Sequence, residues 1–234
     1  MTLEKARADL KRCRNTTKAK TLQRFFKTGP GEYAEGDKFL GVMVPQTRAV
    51  AKKFQALALK DSLTLLKSSW HEERLLALFL MVGRFKSEPK DREAVYKAYL
   101  GHTRYINNWD LVDCSSEHIV GPFLVGRSKA PLRRLVKSKS LWERRIAVLA
   151  TFHYIKQNDF REILALAKTL LQDEEDLLHK AVGWMLREVG KRDLAVLDAF
   201  LHQHYQRMPR TMLRYAIEKH PPARRRAYLS GQIH

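Results

Sequence analysis

The sequence predicts an all-α protein, an α-solenoid of stacked helix pairs that is curved and carries a basic concave face. Three observations predict it. Apolar residues recur at helical spacing along nearly the whole chain, while strand-type alternation is almost absent. Segments led by similar residues recur: Trp70 and Trp142 lie 72 residues apart, twice 36, with Asn107–Trp109 about halfway and His179 about one period further on. Lys and Arg total 44 against 25 Asp and Glu, a formal charge of +19 that a counter-charged partner would relieve.

In chain order, Leu3, Ala6 and Leu10 mark a first helix, and Leu22, Phe25 and Phe26 a second apolar patch. The Gly-rich stretch 29–37 reads as a break. LGVMVP (40–45) is the one short apolar piece suited to extended backbone, and Pro45 can open the helix after it, part of which is lined by Arg48, Lys52 and Lys53. Helix pairs follow: DSLTLLKSS with WHEERLLALFLMVGRF, EAVYKAYLGH with NNWDLVDCSSEHIV, PLRRLVKS with LWERRIAVLATFHYI, and REILALAKTLL with DLLHKAVGWMLREVG. Pairs of about this length bury one stripe against the next pair, and the stack presents one long inner face. An irregular helical bundle is the alternative.

An apolar fraction of 44% is that of a folded chain. Two cysteines, Cys13 and Cys114, make no disulfide framework and no metal-type spacing, and the nine His form no zinc motif, so neither metal nor cofactor is expected. The start, MTLEKARADLKRCRN, lacks the apolar core of a signal peptide, and no apolar stretch reaches bilayer length, so no membrane contact and a cytoplasmic or nucleoid location are expected. Nucleic acid is the first candidate partner for the charge. Arg127, Lys129, Arg133, Arg134, Lys137 and Lys139 crowd one joint, and Arg207, Arg210 and Arg214 begin a last basic region ending in Arg224, Arg225 and Arg226. Nothing resembles a motif that reads base edges, which favours recognition of backbone and shape. Taken singly, each charge also reads as a solvated surface residue.

The segment INNWDLVDCSS carries the most chemistry. Asn107 or Asn108 can cap a helix on which Trp109 and Asp113, four apart, share a face. Asp110 reads equally as a favourable charge in a first helical turn, Asp113 as the partner of a nearby Arg, and Cys114 as a small buried apolar residue. Arg144 and Arg145, adjacent on a helix, point in different directions, and one of them is expected on the inner surface. Trp184 sits among small and apolar neighbours, and its plain reading is a core Trp. Two Trp, a carboxylate and an Arg in one cleft would suit a cationic aromatic substrate, because indole faces attract cations and a carboxylate stabilises developing positive charge.

KFLGVMVPQTR (38–48), NNWDLVD (107–113), LWERRIAV (141–148), KAVGWMLRE (180–188) and RYAIEKH (214–220), in this order, resemble the AlkD-type DNA alkylation repair glycosylases, a family of HEAT-like helical repeats. The resemblance runs over nearly the whole chain and implies one HEAT-like DNA-binding and glycosylase domain over 1–234. It implies a monofunctional alkylpurine-DNA glycosylase that hydrolyses the N-glycosidic bond of cationic N3- or N7-alkylated purines in double-stranded DNA and leaves an abasic site. By the same resemblance Asp113 stabilises the charge on the sugar and positions water. Trp109 and Trp184 lie against the deoxyribose and backbone of the lesion, and Arg145 holds a nearby phosphate. Phe25, Met43, Arg48, Lys52, Arg144, Lys180, Arg187, Arg214 and Lys219 are the further DNA-binding candidates, and the chain is expected to act as a monomer. Three positions depart from the family pattern: Phe25 where a lesion-side Tyr is usual, Met43 where Gln or Arg is frequent, and Asn108 where the first of two paired Trp is usual. Two other readings stand beside this one, a non-catalytic DNA-binding solenoid and a repeat scaffold for an acidic protein.

Overall fold

The computed structural model describes residues 1–233; the last residue of the expected 1–234 domain lies outside the described residues. Among the described residues the regular structure is helical, with one isolated parallel bridge, Lys38 to Trp70, and no strand. The predicted all-α class is what the chain adopts. Among the described residues no helix is long and apolar enough to cross a membrane. The chain divides into two compact units, one from Met1 to Ile119 and one from Val120 onward.

The first unit holds α1 (Leu3–Arg12), α2 (Thr16–Phe25), α3 (Val44–Lys53), α4 (Leu59–Leu66), α5 (His71–Ser87), α6 (Arg92–Gly101), α7 (Trp109–Asp113) and the start of α8 (Ser116–Phe123). Helix α5 is its centre. Every residue from Leu75 to Val82 is buried, so the helix is apolar on all sides and packs against α3, α4, α6 and α7. Each such Leu contributes about 2 kcal/mol through removal from water. The 40–45 segment behaves as its composition predicts: Leu40 to Met43 run without regular structure and α3 opens immediately before Pro45. Gln46 closes the start of α3 by accepting the Met43 N–H at 3.0 Å. Gly41 has φ +80°, and a Cβ there would stand 2.0 Å from the Asn15 carbonyl oxygen, so no other residue fits where this segment crosses α2.

The second unit holds α9 (Ala130–Leu135), α10 (Leu141–Ala150), α11 (Phe152–Ile155), α12 (Arg161–Thr169), α13 (Asp176–Gly190), α14 (Leu194–His204), α15 (Arg210–Ala216) and α16 (Pro222–Ser230). Three of the four predicted pairs form by direct packing: α9 packs on α10 and α12 on α13, as α4 packs on α5 in the first unit. The second members also stack on one another, α10 on α13 and α13 on α15, which is how a helix-pair repeat builds its core. Gly183 permits the α13–α15 approach, since a Cβ would lie 2.5 Å from the Met212 carbonyl oxygen.

Two predicted helices are each broken once. NNWDLVDCSSEHIV is interrupted at Cys114–Ser115, between α7 and α8, and LWERRIAVLATFHYI at Thr151, between α10 and α11. Both breaks carry a buried hydroxyl that bonds a carbonyl of the preceding turn: Ser115 Oγ to Leu111 O at 2.6 Å and Thr151 Oγ1 to Val148 O at 2.6 Å.

Candidate functional site in the first unit

Helix α7 is a five-residue segment, too short to hold itself, so its neighbours fix it. Of the two candidate caps, Asn107 and Asn108, it is the wholly buried Asn108 that caps the helix; its side chain accepts the Trp109 N–H at 2.8 Å. Asp110 Oδ1 accepts the Leu111 N–H at 2.9 Å, the first-turn role expected of it, while Oδ2 faces His71 Nε2 at 2.8 Å. The C-terminal end is tied by Ser115, whose Oγ also meets the hydroxyl of fully buried Tyr99 on α6 at 2.8 Å. Asp113, the last residue of α7, is half-buried one turn beyond Trp109. The neighbouring Cys114 is half-buried, its Sγ donates to Leu111 O at 3.4 Å, and burial pushes its thiol well above the usual range, which disfavours the thiolate.

An aromatic stack backs Trp109. Phe26 lies parallel to its ring at 5.3 Å, Phe39 stacks on Phe26 at 5.1 Å, and the His71 imidazole stacks on Phe39 at 4.5 Å. Phe25 meets Trp109 edge-on at 6.0 Å and is 61% exposed, so the indole has a buried partner on one side and a solvent-facing aromatic on another.

Beneath this stack lies a polar hub that the sequence reading passes over, formed by the first turn of α5. His71 Nδ1 faces Asp37 Oδ2 at 3.3 Å, and Arg74 donates to the same oxygen at 2.7 Å. Glu72 accepts the backbone N–H of Leu40, Gly41 and Val42 at 2.9, 2.7 and 3.1 Å, and Glu73 takes Arg7 at 3.0 Å. All four hub residues are buried. Burial opposes charge on His71, but Asp110 first and Asp37 second outweigh it, with Arg74 opposing, and the imidazole pKa is raised to about 9. Burial likewise works to raise the Asp37 pKa, yet His71 and Arg74 hold it below the ordinary value. The signal available in the sequence was the run His-Glu-Glu-Arg opening an otherwise apolar helix.

The other candidates lie on or just before α3 and in the second unit. Met43 is exposed just before α3. On α3, Arg48 lies 4.2 Å above the Phe79 ring and Lys52 is exposed. In the second unit, Trp184 is half-buried on α13, edge-on to Phe152 at 5.7 Å, and bonds Glu188. Burial works to raise the Glu188 pKa, but Lys191, Arg192 and this bond lower it overall. Arg144 and Arg145 are both engaged: Arg144 pairs with Asp173 at 2.8 Å, and Arg145, 5% exposed, donates to the Leu177 carbonyl. Lys180 pairs with Asp176 at 2.7 Å, and both Arg187 and Lys219 approach Glu218, whereas Arg214 is exposed.

Residues 6–220 match the family model described as DNA alkylation repair enzyme. A search of curated proteins finds no match. Among solved structures, one described as a predicted DNA alkylation repair enzyme from Enterococcus faecalis is similar, with a TM-score of 0.68 at 16% identity over 89% of this chain and 97% of the other; at that identity the likeness speaks for a shared fold. With the family model spanning nearly its whole length, the chain belongs to the DNA alkylation repair enzyme family.

Proposed function

We infer that the protein is a monofunctional DNA glycosylase acting on cationic N3- or N7-alkylated purines in duplex DNA. The observation that supports this reading is the pairing, on one short and firmly held helix, of a half-buried carboxylate, Asp113, with an indole, Trp109, whose neighbour Phe25 is open to solvent. A purine alkylated at N3 or N7 carries a positive charge and leaves as a neutral base, so the bond needs little acid catalysis. The C1′–N9 bond (the bond to the base nitrogen) breaks with its electron pair moving to the base, and the sugar becomes oxocarbenium-like. Water then adds to C1′ and releases a proton, leaving an abasic site. Asp113 stabilises the sugar cation and orients that water. The Trp109 face favours the cation and lies along the deoxyribose.

Duplex phosphates are assigned to Arg48, Lys52, Arg214 and Lys219, which are exposed, and to Arg144, Arg145, Lys180 and Arg187, which share internal acceptors and must add a phosphate to them or exchange partners. Trp184, Phe25 and Met43 are assigned to sugar and backbone contact. The chain works as a monomer without a cofactor in this reading. The test is incubation of the purified protein with a duplex containing N7-methylguanine, with chromatographic detection of free base. Release of 7-methylguanine together with an alkali-labile abasic site is expected. Tight binding without release would instead establish a non-catalytic DNA-binding protein.

A further inference from the structure

We propose that His71 is a positioning residue for the reaction, an imidazolium gripped between Asp37 and Asp110 that fixes the orientation of α7 and with it Trp109 and Asp113. The proposal rests on the glycosylase reading of Asp113 and extends it to a residue one layer behind the site.

Three geometric facts carry it. Both ring nitrogens of His71 face carboxylate oxygens, Nε2 on Asp110 at 2.8 Å and Nδ1 on Asp37 at 3.3 Å. A neutral imidazole has one N–H and would turn a lone pair toward one of these carboxylates; only the imidazolium donates to both. The ring is 2% exposed and sits in the stack that runs through Phe39 and Phe26 to the Trp109 indole, so its tilt is transmitted to the face offered to substrate. Finally, the Asp110 grip links a side chain of α7 to the large central helix α5.

The groups facing His71 are Asp110 from α7, Asp37 from the segment before Lys38, and Arg74 from α5 itself; Phe26 and Phe39 bring no charge, and the Cys114 thiol adjoins Asp110. With two carboxylates and one guanidinium, the imidazolium makes the cluster neutral. Loss of its proton leaves a buried net negative charge and a lone pair facing one of the two carboxylates, which weakens the hold on Asp110, so α7 loosens in the alkaline range where His71 titrates, near 9.

The experiment has two readouts on the full chain from about pH 7 to about pH 10: single-turnover release of 7-methylguanine from duplex DNA, and the 15N resonance of the Trp109 indole. In the wild type, excision falls along a limb with a midpoint near 9, and the Trp109 signal moves with the same midpoint. His71→Gln lowers the rate roughly 10- to 100-fold with little change in duplex affinity and abolishes this limb. A limb shared by every variant belongs to the substrate. If His71→Gln does not fold, Asp110→Asn serves: removing the largest charge that raises His71 shifts the limb and the indole titration to lower pH. Full activity with an unchanged pH profile in either folded variant overturns the proposal, as does a Trp109 resonance that stays still over the whole range. Should the wild type release no base at any pH, the glycosylase reading fails by itself; a Trp109 titration that shifts in Asp110→Asn would still uphold the grip on α7, and its absence would refute it.

Discussion

The first turns of α5 and α10 occupy corresponding places in the two units, each beside a tryptophan and ahead of an apolar run, yet they are built for different work. In the first unit the turn is His71, Glu72, Glu73 and Arg74, all buried, and it reaches outward to three pieces of chain: the 37–42 segment, α1 and α7. In the second unit the turn offers Arg144 and Arg145, and both reach the next helix pair, at Asp173 and the Leu177 carbonyl. The difference shows how one repeat position serves two ends. Carboxylates and an imidazole gather irregular backbone and a short helix together, whereas guanidinium groups bind one repeat to the next.

The largest expected effect breaks the first of these arrangements. Glu72→Ala leaves three buried N–H groups without an acceptor, each costing about 1–3 kcal/mol, so unfolding in urea should report a loss of about 4 kcal/mol or an unfolded chain. A loss under about 1 kcal/mol would mean the 40–42 segment is held by something else.

Next is the pH dependence of stability. The folded-state pKa of His71 is raised from 6.5 to about 9, so the stability it contributes is fully present below about pH 6.5 and is lost as pH rises through 9. The loss should be on the order of 3 kcal/mol between those limits. Thermal unfolding should show Tm falling across this window in the wild type and a flatter profile in His71→Gln. Asp37, whose pKa is lowered, acts in the opposite sense: its contribution is present above its ordinary value of 3.8 and disappears as pH falls below it.

Arg145→Ala makes the matching change in the second unit. Losing one charge-assisted bond to the Leu177 carbonyl should cost about 2 kcal/mol, less than the Glu72 change, and should also weaken duplex binding and excision. Unaltered excision would remove Arg145 from the DNA contacts. The smallest effect belongs to an exposed cation: Arg214→Ala should leave stability within about 0.5 kcal/mol. It should also flatten the dependence of log binding constant on log salt by about 0.9, as for one phosphate contact.

What could be read from the sequence was local. Asn108 as a cap, Trp109 and Asp113 on one face and the opening of α3 at Pro45 all depend on residues within a few positions of one another, where spacing and side-chain chemistry decide the outcome. The polar hub was not legible, because His71 and Asp110 are 39 positions apart and Glu72 bonds backbone N–H groups that have no sequence signature. The break between α7 and α8 escaped for a related reason: Ser115 turns back on its own helix while Tyr99, 16 positions away, takes up its hydroxyl. The partners of Arg144 and Arg145 belong to the following helix pair, and only the folded chain supplies them.

The most direct measurement compares wild type and Asp113→Asn for single-turnover release of 7-methylguanine from duplex DNA, with duplex affinity measured in parallel. The predicted result is a loss of release of about 100-fold or more with affinity essentially unchanged. Release by Asp113→Asn at the wild-type rate would contradict the role of Asp113 on which the proposed chemistry depends.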